Sequence, residues 1–348
     1  MIELVRRLDR RRFDVKVACF HREGAWLPRV EEAAPVTAFP IRGFARPATV
    51  TQAAAFARWC RRHRIRVVQT CDLYANVFAL PAAALAGVPV RVGSRRELNP
   101  DKTTAQIALQ RHAYRCADAI VANSSAARAH LEREGIAPGR IQVIANGVTV
   151  ERFTPVPGVR PVRRILTVAN LRKEKAHEVL LSAAALLAPS HPDLSFVIAG
   201  DGPRAGELQA MAERLGLRDR VRFLGHVEDV PTLLGSADAF VLPSISEAFP
   251  NAAIEAMAAG LPVVASAVGG LLDLVDHGRT GLLVPPSDPA ALAAAIASLE
   301  ADPERAARLG AAAREDVAQR YSFDRMVRSF EDLYLRLLGP AASQPCAA

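Results

Sequence analysis

The sequence has few cysteines and few aromatic residues, and each shortage excludes a kind of site. Five cysteines are scattered over 348 residues with no close pair, so neither a zinc site nor a CxxC redox motif is expected. Aromatic residues make up 5% of the chain and no DNA- or RNA-binding motif accompanies them. A nucleic-acid partner is therefore not expected.

Long hydrophobic runs are also missing. No apolar stretch approaches the roughly 18 residues of a membrane-spanning helix, and the beginning, MIELVRRLDRRRFDV, lacks the apolar core of a signal peptide. Isolated thiols suit a reducing compartment, so a cytoplasmic location is expected. The net charge of +8 favours anionic partners. The basic residues at 6–12 and 61–66 are either solvated helix faces or a surface that meets an anionic membrane.

Short apolar runs alternate with longer amphipathic ones along the chain, which is typical of parallel α/β proteins. The length favours two domains. Residues 151–162 hold three prolines without periodicity and are interpreted as the linker. We therefore predict an N-terminal domain over 1–150, a C-terminal domain over 163–322 and a disordered tail over 339–348.

The periodicity predicts the individual elements. In the first half we expect helices at 1–10, 51–63, 74–86 and 125–134, and strands at 13–20, 66–70, 90–93, 119–122 and 141–144. In the second half we expect strands at 164–169, 195–199, 221–223, 239–242, 263–265 and 281–284. The expected helices there are 177–188, 203–215, 229–235, 251–259, 270–276, 288–300, 302–319 and 323–338.

The strongest chemical signal is the segment SISEAFPNAAIEAMAAGLPVVAS at 244–266. A buried strand ends there and a helix begins near Asn251, so Glu247 lies in the loop and Glu255 one turn inside the helix. Free N–H groups and the helix dipole at such an N-terminus attract a phosphate. Carboxylates at these positions can accept hydrogen bonds from sugar hydroxyls. The same glutamates could instead merely cap or decorate the helix.

A second cluster follows the first strand of the C-terminal domain. Its sequence, from Asn170 to Lys175, is NLRKEK. Arg172 and Lys175 in a strand-to-helix loop are chemically suited to a diphosphate. The alternative is a solvated basic loop.

Taken together, these segments resemble the E-x7-E signature of glycosyltransferase family 4. Gly200-Asp201-Gly202-Pro203 resembles that family's G-x-G-P turn, and Val268-Gly269-Gly270 with residues 280–296 resembles its downstream block. Asn146-Gly147-Val148 with Phe153 resembles its exit from the N-terminal domain. The resemblance covers nearly the whole chain. It implies the GT-B fold, in which two Rossmann-like domains face each other across a cleft.

The resemblance also implies roles for the residues of the 244–266 segment. Glu247 would lie near the donor hexose and Glu255 would hold the ribose. The backbone N–H groups of Asn251, Ala252 and Ala253 would hold the pyrophosphate.

In the second cluster, Lys175 matches the family's lysine. Asn170 stands where arginine is usual, and Arg172 could supply the missing charge. Gly200 and Gly202 would form the donor-side turn, and the base would stack near His226, which could equally be a generic loop histidine.

The positions that would face the acceptor or the cleft are Cys71, Asn123 and Asn146. Asn123 could instead be a helix N-cap. Cys71 is a departure, because the family commonly has a histidine there and a thiol is only a weak hydrogen-bond donor.

The beginning of the chain is a larger departure. The family starts with a strand and a glycine-rich loop, whereas this chain starts inside the helix that follows. The missing strand would lie mid-sheet, and we hypothesise a misassigned internal start that reading upstream in frame would test. The last helix, 323–338, is expected to cross back onto the first domain, as the family's does.

The implied activity is retaining transfer of a hexose-type sugar from a nucleotide diphosphate sugar to a glycan or lipid-linked acceptor. Cell-surface polysaccharide or glycolipid synthesis is the expected setting. We expect a front-face route in which the diphosphate acts as base, with no cofactor and no metal ion. Two alternatives remain open: a catalytically inactive nucleotide-sugar-binding protein, and a nucleotide-sugar epimerase of the same architecture.

Overall fold

The computed structural model describes residues 1–44, 46–98, 102–155 and 158–339. The chain divides into two compact units. The first unit contains Met1–Asn123, Ala127–Ala145 and the described chain from Phe323 onward, and the second contains Ser124–Ala126 and Asn146–Ser322. Residues 156 and 157 of the predicted linker and residues 340–348 of the predicted tail lie outside the described residues.

The second unit is built on one parallel sheet of six strands, in the order β12-β11-β10-β7-β8-β9. The strands are β7 (Arg164–Val168), β8 (Ser195–Ala199), β9 (Val221–Gly225), β10 (Ala239–Leu242), β11 (Val263–Ser266) and β12 (Leu282–Val284). The helices are α7 (His177–Leu187), α8 (Ala205–Arg214), α9 (Val230–Gly235), α10 (Asn251–Ala258), α11 (Leu271–Leu274), α12 (Pro289–Ala301) and α13 (Pro303–Arg320).

The strand order reverses between β7 and β10. These two strands are hydrogen-bonded neighbours, although two other strands of the sheet, β8 and β9, lie between them along the chain. In open parallel sheets the loops at such a reversal diverge and leave a crevice at the carboxyl ends of the strands, where ligands bind. The topology therefore places the loop after β7 beside the loop after β10.

The first unit contains two parallel sheets, with orders β1-β2 and β3-β4-β5-β6. The strands are β1 (Val17–Cys19), β2 (Val36–Ala38), β3 (Val67–Gln69), β4 (Val90–Arg95), β5 (Ala119–Ala122) and β6 (Ile141–Val143). The helices are α1 (Ile2–Arg7), α2 (Leu27–Ala33), α3 (Pro47–Arg62), α4 (Leu73–Ala86), α5 (Thr104–Ala113), α6 (Ser125–Arg133) and α14 (Phe323–Leu338). Within the described chain no strand joins β1 to β3, so the sheet of this unit is divided.

The last helix supports the first unit. Phe330, Leu333 and Tyr334 of α14 are buried in one cluster with Val92 of β4 and Leu4 of α1. The apolar face of α14 recurs at helical spacing, which explains why this segment folds as a helix and covers the sheet.

Several elements differ from the sequence prediction. Helices α2 and α5 and strand β2 were not predicted, and the strand expected over 13–20 is limited to Val17–Cys19. A signal for α5 was present, because Thr103 and Gln106 form a capping box. The buried residues of α5 are Gln110 and Ala113, so the helix has no large apolar face whose periodicity would reveal it. None of the described helices has both the length and the apolarity needed to cross a membrane.

Candidate active site at the carboxyl ends of β7 and β10

The loops after β7 and β10 are bonded to each other, so the two strongest sequence signals meet. The backbone N–H of Ile245 donates to the carbonyl of Glu174 at 2.9 Å. Lys175 Nζ donates to Glu247 Oε1 at 2.5 Å. The Lys175 side chain is 21% exposed and that of Glu247 is 6% exposed, so this ion pair is mostly removed from water but can be reached from one side.

Ser244 completes the surroundings of the Glu247 carboxylate. Its hydroxyl donates to the same Oε1 at 2.7 Å, and its side chain is fully buried. The sequence prediction did not include Ser244. The available signal was a polar residue that ends a buried apolar strand three positions before the glutamate. Because a buried carboxylate is costly without hydrogen-bond partners, the contacts with Ser244 and Lys175 stabilise the Glu247 side chain in this position.

Two glycines allow the Glu247 loop to pack closely on the next part of the chain. A Cβ atom at Gly269 would lie 1.8 Å from the carbonyl oxygen of Glu247, and one at Gly270 would lie 2.2 Å from that of Ala248. The Gly270 N–H donates to the Glu247 carbonyl at 2.9 Å. The Val268-Gly269-Gly270 motif therefore holds the backbone that carries Glu247.

The Gly200-Asp201-Gly202-Pro203 turn packs closely against the backbone of the loop after β7. A Cβ atom at Gly200 would lie 2.0 Å from the carbonyl oxygen of Ala169, and one at Gly202 would lie 2.6 Å from that of Leu171. The N–H of Leu171 donates to the Asp201 carbonyl at 3.0 Å. Gly200 and Gly202 thus lie beside this loop, and their observed contacts are with backbone.

Helix α10 begins beside the Glu247 loop. Its first intrahelical bond runs from the N–H of Ile254 to the carbonyl of Pro250 at 3.3 Å. The N–H groups of Asn251, Ala252 and Ala253 precede this bond and form the end of the helix that can receive an anion. The side chain of Asn251 accepts a hydrogen bond from Asn146 Nδ2 at 2.7 Å. Asn146, which the sequence predicts to face the acceptor or the cleft, thus touches the helix that is predicted to bind the donor.

Glu255 lies one turn into α10 and is half-buried. Burial raises the pKa of its carboxyl above the ordinary value, and the positive charge of Arg152 opposes this rise. Arg152 was not identified from the sequence, because nothing in the ERF triplet distinguishes it from other surface arginines. The structure brings its charge towards Glu255.

The remaining donor-side residues are exposed. Asn170, Arg172 and His226 all present their side chains to solvent. The backbone carbonyl of Asn170 is within 3.2 Å of the ring Nε2 of His177, a fully buried residue. Between Lys175 and His177, Ala176 adopts φ 47° and ψ 45°, the left-handed region that glycine favours. The hydrogen bond of His177 and the backbone conformation of Ala176 together fix the position from which the Lys175 side chain projects.

In the first unit, Cys71 and Asn123 follow β3 and β5, at the same edge of the four-stranded sheet. Cys71 is half-buried, and burial raises the pKa of its thiol. Asn123 is 2% exposed and its amide donates to the carbonyl of Arg96 at 3.3 Å. The contact of Asn123 is therefore with the loop that follows β4.

Comparison with known families matches almost the whole chain. The family described as "Glycosyl transferases group 1" matches residues 159–316, and the family described as "Glycosyltransferase Family 4" matches residues 1–152. The first match contains Lys175, Ser244, Glu247 and Glu255.

Individual relatives and solved structures agree with these families. A D-inositol 3-phosphate glycosyltransferase of Streptomyces scabiei is 31% identical over 96% of this chain and 84% of its own length. Its namesake from Salinispora tropica is 35% identical over 63% of this chain and about half (51%) of its own length. The crystal structure of Anabaena Alr3699/HepE in complex with UDP and glucose superimposes with a TM-score of 0.84 and 23% identity, covering 95% of this chain and 94% of that one. The predicted fold class is thereby confirmed.

Proposed function

The chain belongs to glycosyltransferase family 4, with the GT-B fold, and we propose that it transfers a hexose-type sugar from a nucleotide diphosphate sugar to a glycan or lipid-linked acceptor. The observation that carries this proposal is the pair of Lys175 and Glu247 beside the N-terminus of α10. A cation, a carboxylate and free helix N–H groups at the reversal of a parallel sheet suit the parts of a sugar diphosphate.

The donor's diphosphate would rest against the N–H groups of Asn251, Ala252 and Ala253. The Lys175 ammonium group would donate hydrogen bonds to the diphosphate as well as to Glu247. The Glu247 carboxylate would then accept hydrogen bonds from the hexose hydroxyls. Glu255, one turn deeper, would accept them from the ribose hydroxyls. Arg172 is exposed in the same loop and would add positive charge, whereas the uncharged side chain of Asn170 would not.

The proposed transfer retains the configuration of the anomeric carbon. The bond between that carbon and the diphosphate oxygen breaks, and the acceptor oxygen attacks from the same face. The acceptor's proton passes to the departing diphosphate, whose growing negative charge Lys175 and the α10 N–H groups stabilise. We propose that no metal ion takes part, so transfer should withstand a chelator.

The known relatives suggest which donors to test first. HepE has been crystallised with UDP and glucose, so UDP-glucose is the first candidate, followed by GDP- and ADP-sugars. Synthesis of cell-surface polysaccharide or glycolipid in the cytoplasm, at the inner face of the membrane, is the setting that we propose.

A thermal-shift screen against UDP-, GDP- and ADP-sugars tests the site. The matching nucleotide sugar should raise the melting temperature, because a ligand that binds only the folded state stabilises it. Lys175→Ala and Glu255→Ala should each weaken binding roughly ten- to a hundredfold, as expected when a charge-assisted hydrogen bond is lost. Lys173→Ala removes a charge from the same loop at an exposed position and should leave the response unchanged.

An unchanged response in both Lys175→Ala and Glu255→Ala would remove the site assignment. Incubation of the donor with and without acceptors then distinguishes the remaining alternatives. Transfer that retains the anomeric configuration, seen by NMR, supports the enzyme. Tight binding without turnover would indicate a binding protein, and release of a free sugar epimer from the donor alone would indicate an epimerase.

A further inference from the structure

A basic pocket in the first unit is lined by none of the candidate-site residues described above. It has a volume of about 260 Å³ and is lined by Arg111, Arg115, Glu134, Gly135 and Arg140, among others. We call it the arginine pocket. By contrast, basic residues near the start of the chain are already paired, since Arg6 and Arg7 both bind Glu3.

Local backbone geometry creates the space for the pocket. Helix α6 ends at Arg133, and Gly135 beyond it adopts φ 86°, which favours glycine. A Cβ atom at Gly135 would lie 3.8 Å from Arg111 Nη2, so this guanidinium lies directly beside the glycine. The missing side chain keeps the pocket open next to Arg111.

Of the three arginines, Arg140 is the one with structural contacts to other described residues. Arg140 Nη2 donates to the carbonyl of Tyr114 at 2.6 Å and also to that of Ala117. These bonds satisfy carbonyls at the end of α5, where a cation is favourable. Among the described residues, Arg111 and Arg115 form no ion pair, and both are exposed.

The pocket's acidic residue does not neutralise these arginines. The Glu134 carboxylate is paired with Arg95, which is 1% exposed and lies behind it, and His130 Nε2 is 3.1 Å from its other oxygen. Three guanidinium groups therefore line the pocket together with one carboxylate that already has its own buried cation. The pocket has an excess of positive charge in a partly enclosed space.

We propose that the arginine pocket binds a phosphate-bearing anion. Guanidinium groups form bidentate, charge-assisted hydrogen bonds with phosphate oxygens. The volume is slightly below the roughly 300 Å³ at which pockets for drug-sized ligands begin, so it suits a phosphate ester group. The pocket lies at the amino ends of β5 and β6, because its lining residues Arg115 and Arg140 come shortly before these strands in the chain. Cys71 and Asn123 lie at the opposite, carboxyl ends, so this site does not depend on the proposed function.

The phosphate could belong to a small soluble ester or to the headgroup of a membrane lipid. Leu109 of α5 is 47% exposed and would accompany a headgroup into a membrane surface. The chemistry at the arginines is the same in both cases, and the two sources are separated by experiment.

The test uses the full chain and the double variant Arg111→Gln/Arg115→Gln. The control is Arg42→Gln/Arg328→Gln, which removes the same charge from two exposed positions of the first unit that lie outside the basic segments 6–12 and 61–66. Inorganic phosphate is titrated by calorimetry at low salt. Co-sedimentation is measured with phosphatidylcholine vesicles and with vesicles containing about 30% phosphatidylglycerol, whose charge attracts basic surfaces.

The parent and the control should bind phosphate, the anionic vesicles or both, and the pocket variant at least about tenfold more weakly. Binding of phosphate but not vesicles identifies a soluble ester, and binding of vesicles alone identifies a lipid headgroup. Equal behaviour of the two double variants, or no binding by the parent to either probe, overturns the proposal. The nucleotide-sugar thermal shift of the pocket variant should equal that of the parent, which reports separately on folding and on the donor site.

Discussion

The burial of Glu255 should make folding stability and donor binding depend on pH in opposite directions. Its folded-state pKa is raised by burial above the ordinary value of 4.5. A raised carboxyl pKa means that the folded state binds the proton more tightly than the unfolded state does. Its contribution to stability is therefore fully present below the unfolded pKa and is lost as pH rises through the folded pKa.

We expect donor affinity, unlike this contribution to stability, to increase as pH rises. If the ionised Glu255 accepts hydrogen bonds from the ribose, binding should weaken as pH falls through its raised pKa, at a higher pH than an exposed glutamate would show. Binding is measured by calorimetry, and stability by chemical denaturation, over the same pH series.

Glu255→Gln provides the control for both effects. The variant should lose the pH dependence of binding and should gain stability relative to the parent as pH rises above about 4.5. A parent whose donor affinity is flat through this range would contradict the proposed role of the Glu255 carboxylate.

Ala176 shows the effect of backbone conformation next to Lys175. Its left-handed φ of 47° is strained for any residue with a side chain. Ala176→Gly should remain within about 1 kcal/mol of the parent, because relief of strain offsets the lost methyl burial and the greater freedom of the unfolded chain. Ala176→Val should lose roughly 2–4 kcal/mol, since a β-branched residue is disfavoured there and the site is buried.

Urea denaturation measures the free energy of unfolding of both Ala176 variants. The thermal shift with donor reports whether Lys175 is still placed to bind the donor. The valine variant should also show a weaker donor response at temperatures where it is folded. Equal stabilities for the glycine and valine variants would show that the backbone at Ala176 does not constrain the loop.

At the scale of elements, the site depends on loops that pack backbone against backbone. Gly269 and Gly278 both have positive φ, but only Gly269 has a neighbour that a Cβ atom would strike. Gly278→Ala should cost about 1–2 kcal/mol from strain alone. Gly269→Ala should cost more and should weaken donor binding, because the Glu247 carbonyl must move away from a 1.8 Å contact.

The unfolding free energy and the donor thermal shift together distinguish these glycine variants. The expected pattern is a normal donor response in Gly278→Ala and a reduced one in Gly269→Ala. A Gly269→Ala variant as stable and as responsive as Gly278→Ala would mean that the Glu247 loop is not held by this contact.

The elements that sequence reasoning predicted well are the ones with strong periodicity. Strand β8 and strand β10 have their predicted bounds, because continuous apolar runs between turn residues specify a buried parallel strand. Strand β2 and helix α2 were missed because they are short and contain no fully buried residue. Without a buried face, an element leaves little pattern in the sequence.

At the scale of the whole molecule, the end of the chain stabilises its beginning. Phe330 of α14 is 1% exposed and lies in the core that also contains Leu4 and Val92. Phe330→Ala should lower the stability of the first unit by about 3–5 kcal/mol, as expected for a large core truncation. Asp332→Ala changes an exposed residue of the same helix and should stay within about 0.5 kcal/mol of the parent.

Hydrogen exchange resolved to peptides tests this contribution. Amides of β4 should lose protection in Phe330→Ala and keep it in Asp332→Ala, because exchange from core strands requires large-scale unfolding. Unchanged β4 protection in Phe330→Ala would show that α14 is dispensable for the first unit.

The sequence by itself determined the fold class, and it placed Glu247 in a loop and Glu255 in the helix that follows. Strand and helix periodicity and the start of a helix are local properties of the chain, so the sequence alone reveals them. Only the tertiary structure decided that Lys175 bonds Glu247, that Asn146 touches Asn251 and that the charge of Arg152 acts on Glu255. These pairs are 72, 105 and 103 residues apart, and no local pattern relates residues so distant. Their meeting depends on the order in which the strands join the sheet, which is settled only when the cores pack.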